Sequence, residues 1–227
     1  MSGAEVPVQL LVIAKAPVPG RVKTRLCPPC TPEEAAGLAA AALADTLAAG
    51  TATPAPVAAR ILVRSGWIRP PAGWRAAGQR GASFAERLAH AYQDTEQPGV
   101  ASLLIGMDTP QLTPARLRDA AARLATPGVD AVLGPAEDGG WWALGLREPR
   151  HGAVLAGVPM STPGTGRDTL AALRSRGLRV ALLPTLCDVD TAEDATAVAG
   201  QCPPGSRFAR AVASLLRPAV AAVGEPA

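Results

Sequence analysis

Aromatic residues are scarce in this chain of 227 residues: four Trp, two Phe and one Tyr, 3% of the total. A core must therefore be built from Ala, Leu and Val, which dominate a hydrophobic share of 48%. That share is too high for a disordered chain. Lysine is scarcer still; it occurs only as Lys15 and Lys23, so nearly all the cations are Arg. A net charge of +3, with no block of Lys/Arg interleaved with aromatics, gives no nucleic-acid footprint. No apolar run reaches the roughly 18 residues of a membrane span. The first residues, "MSGAEVPVQLLVIAKAPVPG", lack the basic segment of a secretory signal. A cytoplasmic protein that touches neither membrane nor nucleic acid is expected.

Cysteine is also sparse: Cys27, Cys30, Cys187 and Cys202. "CPPC" has the spacing of half a zinc knuckle, but no second pair completes it, and it lies in a proline-stiffened loop instead of opening a helix. Other sequence signatures are missing too. No Walker loop is present, because Gly20 lies only three residues before Lys23. G-x-S-x-G is absent, and "GTGRDT" only mimics a dinucleotide fingerprint.

What is present is alternation. Apolar runs at 7–14, 57–63, 99–106, 129–136, 141–147 and 178–184 read as strands, most of them buried along their length. Between them lie capped helices. Thr31-Pro32-Glu33-Glu34 opens one that ends at Gly50, Ser83 caps 83–95, and Thr113-Pro114 opens 113–125. Further helices are expected at 167–176, 191–199 and about 205–217; residues 64–82 read as loop with a short strand. The alternation predicts an α/β fold, a mostly parallel sheet with helices on both faces, in a single domain over 1–227 with a core at about 8–217 and a frayed tail from Pro218.

In such sheets ligands sit beyond the carboxyl ends of the strands. Four polar segments fall there. Residues 15–25 hold Lys15, Arg21, Lys23 and Arg25 without an acid, a loop suited to phosphates. Asp108 follows an apolar strand and offers the hard oxygen a divalent cation wants, although a turn-forming Asp is the simpler reading. Glu137-Asp138-Gly139-Gly140 reads as a hairpin turn whose glycines let backbone approach a ligand. Asp188 and Asp190 follow another strand; Asp190-Thr191 reads either as a helix cap or as one half of a two-carboxylate metal clamp with Asp108.

Together "AKAPVPGRVKTRL", "GMDTPQL", "GPAEDGGWWALGL", "MSTPGT" and "DVDTAED" resemble, in order and over about residues 8–200, the DUF2064 family (rSAM/selenodomain-associated transferase 1). That family belongs to the nucleotide-diphospho-sugar transferases of GT-A fold; a more distant similarity is to 2-phospholactate guanylyltransferases. The resemblance implies a GT-A-like fold and a metal-dependent transferase. Lys23 and Arg25 would bind nucleotide phosphates, with Gly20 and Arg21 in the same loop and Ala14 and Lys15 near base or ribose. Lys23, Arg25 and Asp108 would carry catalysis. Asp108 and Asp190 would hold Mg²⁺ or Mn²⁺. Asp138, Gly139, Gly140, Ser161 and Thr162 would meet the acceptor. The chain departs from the family at Met160, usually aromatic, and at Trp141, often Tyr, and it has a single acid in "MDTP".

The expected reaction is transfer of NMP from an NTP to a small phosphorylated acceptor, a sugar phosphate or phospho-hydroxy acid, with release of pyrophosphate. The cation-rich loop favours a triphosphate. A glycosyltransferase using an NDP-sugar is the alternative, and a non-catalytic nucleotide-binding module the third reading.

Overall fold

The computed structural model describes residues 6–216. The tail from Pro218 and the last residue of the final expected helix lie outside the described residues. One seven-stranded sheet organises the chain, in the order β3-β2-β1-β4-β6-β5-β7. The strands are β1 (Val8–Lys15), β2 (Val57–Ser65), β3 (Arg75–Gly78), β4 (Ala101–Ile105), β5 (Ala131–Pro135), β6 (Trp141–Leu146) and β7 (Val180–Leu182). Every pairing is parallel except the two made by β6, which runs antiparallel to β4 and β5. The hairpin expected at Asp138-Gly139 is what reverses the chain between β5 and β6.

β1 lies at the centre, and Val8 to Val12 are fully buried because both sheet faces are covered. Side chains alternate between those faces. Leu10 and Val12 meet α1 (Pro32–Ala52) and α3 (Pro114–Ala125). Leu11 and Ile13 meet α2 (Phe84–Thr95), the 3-10 segment Pro149–Gly157 and α4 (Thr165–Ser175). A satellite cluster sits outside α1. There Ala35, Leu38 and Ala42 pack on α5 (Ala192–Ala199) and α6 (Arg207–Leu215) through Ala195, Val198, Phe208 and Val212.

The capping logic operates as read. Thr31 and Ser83 each make a reciprocal capping box with the Glu three residues on, and Thr113 caps α3. Helix α1, however, runs past Gly50 to Ala52. Gly50 is a packing residue, since a Cβ there would lie 2.8 Å from the Leu10 side chain and 2.9 Å from the Trp74 ring. By length and hydropathy α1 is also apolar enough to cross a membrane. Its Ala and Leu residues are buried on two sides, against the sheet on one and α5 and α6 on the other, as befits a core helix. The segment 149–157, to which no element was assigned from sequence, folds as a 3-10 stretch against Tyr92 of α2.

Candidate active site

The loop after β1 is held at both ends. Lys15 Nζ donates to the Arg21 carbonyl at 2.7 Å. Leu26, at the end of a 3-10 turn over Thr24–Leu26, is fully buried in the satellite cluster. Between them Lys23 adopts a left-handed backbone, φ 48°. Ser161, at φ 59°, is the other non-glycine residue in that region among the described residues, and both line the same cavity. Such backbones cost about 1–3 kcal/mol and persist where surrounding structure enforces them.

That cavity, about 610 Å³, lies beyond the carboxyl ends of β1 and β4. It brings together Lys15, Arg21, Lys23 and Arg25 from the first loop with Asp108 from the turn after β4. Asp138 and Gly140 join from the β5–β6 hairpin, Ser161 and Thr162 from the loop before α4, and Asp188 and Asp190 from the segment after β7. Ala14 is instead buried in the core, and Gly20 and Gly139 are not in the lining. Gly139 has a structural task. At φ 88° it turns the hairpin, and a Cβ there would stand 2.1 Å from the Pro163 carbonyl. Gly166 N–H donates to the Gly139 carbonyl at 2.8 Å, locking hairpin and loop together.

The segment carrying Asp188 and Asp190 hangs on the turn carrying Asp108. Val189 N–H donates to the Asp108 carbonyl at 3.0 Å, and Gln111 Nε2 to the Cys187 carbonyl at 2.6 Å. Capping of α5 falls to Thr191, which forms a capping box with Asp194. The Asp190 carboxylate is thereby left to the cavity, where it accepts from Lys23 Nζ at 3.0 Å and Arg25 NH1 at 3.3 Å. Asp108 Oδ1 sits 3.1 Å from the same ammonium, close enough to pair but off the hydrogen-bonding axis. Burial acts to lower the Lys23 pKa; the two facing carboxylates outweigh it and raise it.

The ammonium thus stands where one ion shared by Asp108 and Asp190 was expected. The carboxylates that cluster are Asp138, Asp188 and Asp190, whose oxygens lie within 4.8 Å of one another. Burial, then the Asp138 and Asp190 charges, push Asp188 up to about 6. Three hard oxygen donors crowded at that spacing fit Mg²⁺ or Mn²⁺, which would relieve the repulsion. Asp188 was visible in the sequence only as the first acid of "DVD"; nothing there ranked it above Asp108. The "CPPC" pair forms no disulfide, and burial raises the Cys30 thiol.

A second half of the cavity was marked in the sequence only by Trp141 and Met160, the two departures from the family pattern. Ile13, Phe84, Leu88, Trp141 and Met160 form an apolar wall on the α2 side of the sheet.

No curated protein matches the chain. A crystal structure from Desulfovibrio desulfuricans G20, provisionally named a nucleotide-diphospho-sugar transferase, is similar at 27% identity and a TM-score of 0.78, covering 92% of this chain and 94% of that one. At 12% identity and a TM-score of 0.52, a CMP:2-keto-3-deoxy-manno-octonic acid synthetase complexed with CTP shares the fold over 82% of this chain and 93% of its own. Rv0371c from Mycobacterium tuberculosis H37Rv, in complex with manganese, does so at 19% identity and a TM-score of 0.51, over 85% and 97%. The fold is therefore the GT-A-like α/β fold of nucleotidyl- and sugar-transferases. The family described as an uncharacterised protein conserved in bacteria, DUF2064, matches residues 37–162, more than half of the sequence, and the chain belongs to it.

Proposed function

We propose that the protein is a metal-dependent nucleotidyltransferase that moves NMP from an NTP to a small phosphorylated acceptor and releases pyrophosphate. The observation that carries this reading is the meeting, in one cavity, of four cationic side chains from the first loop and the Asp138–Asp188–Asp190 cluster. A triphosphate brings more negative charge than an NDP-sugar, and the loop supplies the matching cations. The CTP-bound synthetase and the manganese-bound mycobacterial protein, which share the fold, support nucleotide and metal binding here.

Asp138, Asp188 and Asp190 would hold Mg²⁺ or Mn²⁺, which supplies charge neutralisation on the phosphates. Lys23 and Arg25 hold the polyphosphate chain, and Arg21 extends the cationic lining. An acceptor phosphate oxygen then forms a bond to the α-phosphorus while the bond to the bridging oxygen breaks in line. The electron pair leaves with pyrophosphate, so positioning and charge compensation are the protein's main contributions. Asp108 pairs with the Lys23 ammonium at 3.1 Å and adds a second negative charge beside it. Four free cysteines fit the reducing cytoplasm.

Incubation with each NTP, pooled phosphate monoesters and Mg²⁺ or Mn²⁺ should release pyrophosphate, and Asp190→Ala and Lys23→Ala should each slow it by about 10²-fold or more. The name given to the Desulfovibrio relative favours an NDP-sugar donor instead. NDP release from NDP-sugars without pyrophosphate would select that second reading.

A further inference from the structure

The loop and hairpin expected to meet the acceptor use their polar groups internally. Thr165 Oγ1 donates to the Pro159 carbonyl at 3.0 Å and accepts from Thr162 N–H at 3.1 Å. Thr162 Oγ1 accepts from Gly164 N–H at 3.3 Å. Trp141 Nε1 donates to Thr169 Oγ1 at 3.2 Å. Asp138 Oδ1 accepts from Gly140 N–H at 2.7 Å. Ser161 is left as the side-chain hydroxyl on this side with no partner of its own among the described residues. The unpartnered hydroxyl of Thr109 follows Asp108 at the charged end. Facing these polar groups, most of them already hydrogen-bonded within the protein, is the apolar wall. Ile13 and Leu88 are buried in the core, Trp141 and Met160 pack against it, and Phe84 is 41% exposed.

A sugar ring presents a hydroxyl on nearly every carbon, and each one desolvated without a partner costs free energy. Beside the wall only the Ser161 hydroxyl is without a partner among the described residues, and Thr109 stands at the far, charged end, too few for that demand. The surface that Phe84, Trp141 and Met160 keep exposed, backed by the buried Ile13 and Leu88, in contrast rewards an acceptor that removes carbon from water. We propose that the acceptor is a phosphate monoester with an apolar organic body, alkyl or unsaturated, seated on Ile13, Phe84, Leu88, Trp141 and Met160, and not a polyhydroxylated sugar phosphate. The proposal rests on the nucleotidyl-transfer reading for which phosphate is the nucleophile, and it names the class of that nucleophile. The nucleobase is the other flat apolar group available to the wall, so the test separates the two.

The experiment titrates 3-methylbutyl phosphate and glucose 1-phosphate, equal in phosphate charge, into the full chain with Mn²⁺, with and without saturating NTP, by calorimetry. The apolar ester should bind more tightly by at least about tenfold, roughly what two buried methylene groups provide. It should keep that affinity with NTP present. Phe84→Ser, at an already exposed position, and Met160→Gln should each erode the preference. Equal or tighter binding of glucose 1-phosphate overturns the proposal, as does a preference unchanged in both variants. Displacement of the ester by NTP overturns it too, because the wall would then belong to the base. Pyrophosphate is followed in the same mixtures. Tight ester binding without pyrophosphate removes nucleotidyl transfer and keeps the ligand class. Pyrophosphate with glucose 1-phosphate but not with the ester does the reverse.

Discussion

Removing the Lys23 ammonium should move two affinities in opposite directions. Its Nζ lies 3.0 Å from Asp190 and 3.1 Å from Asp108, on a side chain only 10% exposed. At an effective dielectric near 20, each contact corresponds to about 5 kcal/mol of raw attraction. Desolvation of the lysine opposes this, and the carboxylates are about a third exposed, at 35% and 32%, so solvent screens both. A net loss of about 1–3 kcal/mol of stability is expected for Lys23→Met, less than the full cost of breaking a fully buried pair. For a chain of this size that lowers Tm by about 2–10 °C. The same change frees Asp190 for a divalent cation. Without nucleotide, Mn²⁺ should bind Lys23→Met more tightly than wild type, by about tenfold for each 1.4 kcal/mol of competition removed. With nucleotide the sign reverses, because the lysine is then missing from the phosphates, and a loss of about 10²–10³ in turnover is expected. Electron paramagnetic resonance of free Mn²⁺ without NTP reads the first effect, and pyrophosphate release with NTP reads the second. Weaker Mn²⁺ binding in the nucleotide-free variant would refute the idea that the ammonium competes with a cation.

Other outcomes follow from single contacts. Gly139→Ala puts a Cβ 2.1 Å from the Pro163 carbonyl at a φ of 88°, so the 161–166 loop must shift; acceptor KM should rise at least about tenfold with NTP KM little changed. Asp45 accepts from Ser206 Oγ at 2.7 Å and Phe208 N–H at 2.8 Å, docking α6 on α1; Asp45→Ala should cost about 1–3 kcal/mol in denaturant unfolding and leave nucleotide affinity intact. Hydrogen bonds from Arg179 side chain and backbone hold Asp130 at about 2, below its unfolded value near 3.9. The stabilisation is therefore complete above about pH 4 and fades as pH falls towards 2. The stability gap between wild type and Asp130→Asn should close over that window in an acid titration followed by circular dichroism.

Local signals carried the fold where they were self-contained. Thr31, Ser83 and Thr113 each satisfy orphan N–H groups within three residues, so the helices they open were legible without neighbours. The apolar run of β1 identified a buried strand for the same reason; its central place in the sheet came only with the structure. Gly50 misled because its meaning lies in Leu10 and Trp74, remote in sequence. At the site, the cationic loop and the acids stood out by composition. Their mutual arrangement did not, because the distance from Lys23 to Asp190 spans most of the polypeptide. The sequence could say that Asp190-Thr191 was either cap or ligand; only the capping box of Thr191 with Asp194 released the aspartate. Of the apolar wall, Trp141 and Met160 stood out as departures from the family pattern, whereas Ile13 and Leu88 look like any other core residues until the cavity is seen.

Leu26, which anchors the basic loop, and Val189, which lies between the two site aspartates, are both embedded in the cluster between α1, α5 and α6. The spacing of opposite charges across the cavity is consequently set from behind, by how alanine, leucine and phenylalanine nest several layers away. Relatives could retune catalytic geometry through methyl-sized changes in the two C-terminal helices while every ionisable group kept its identity. Evolutionary drift of activity in this fold would then leave its trace among residues that never meet a ligand.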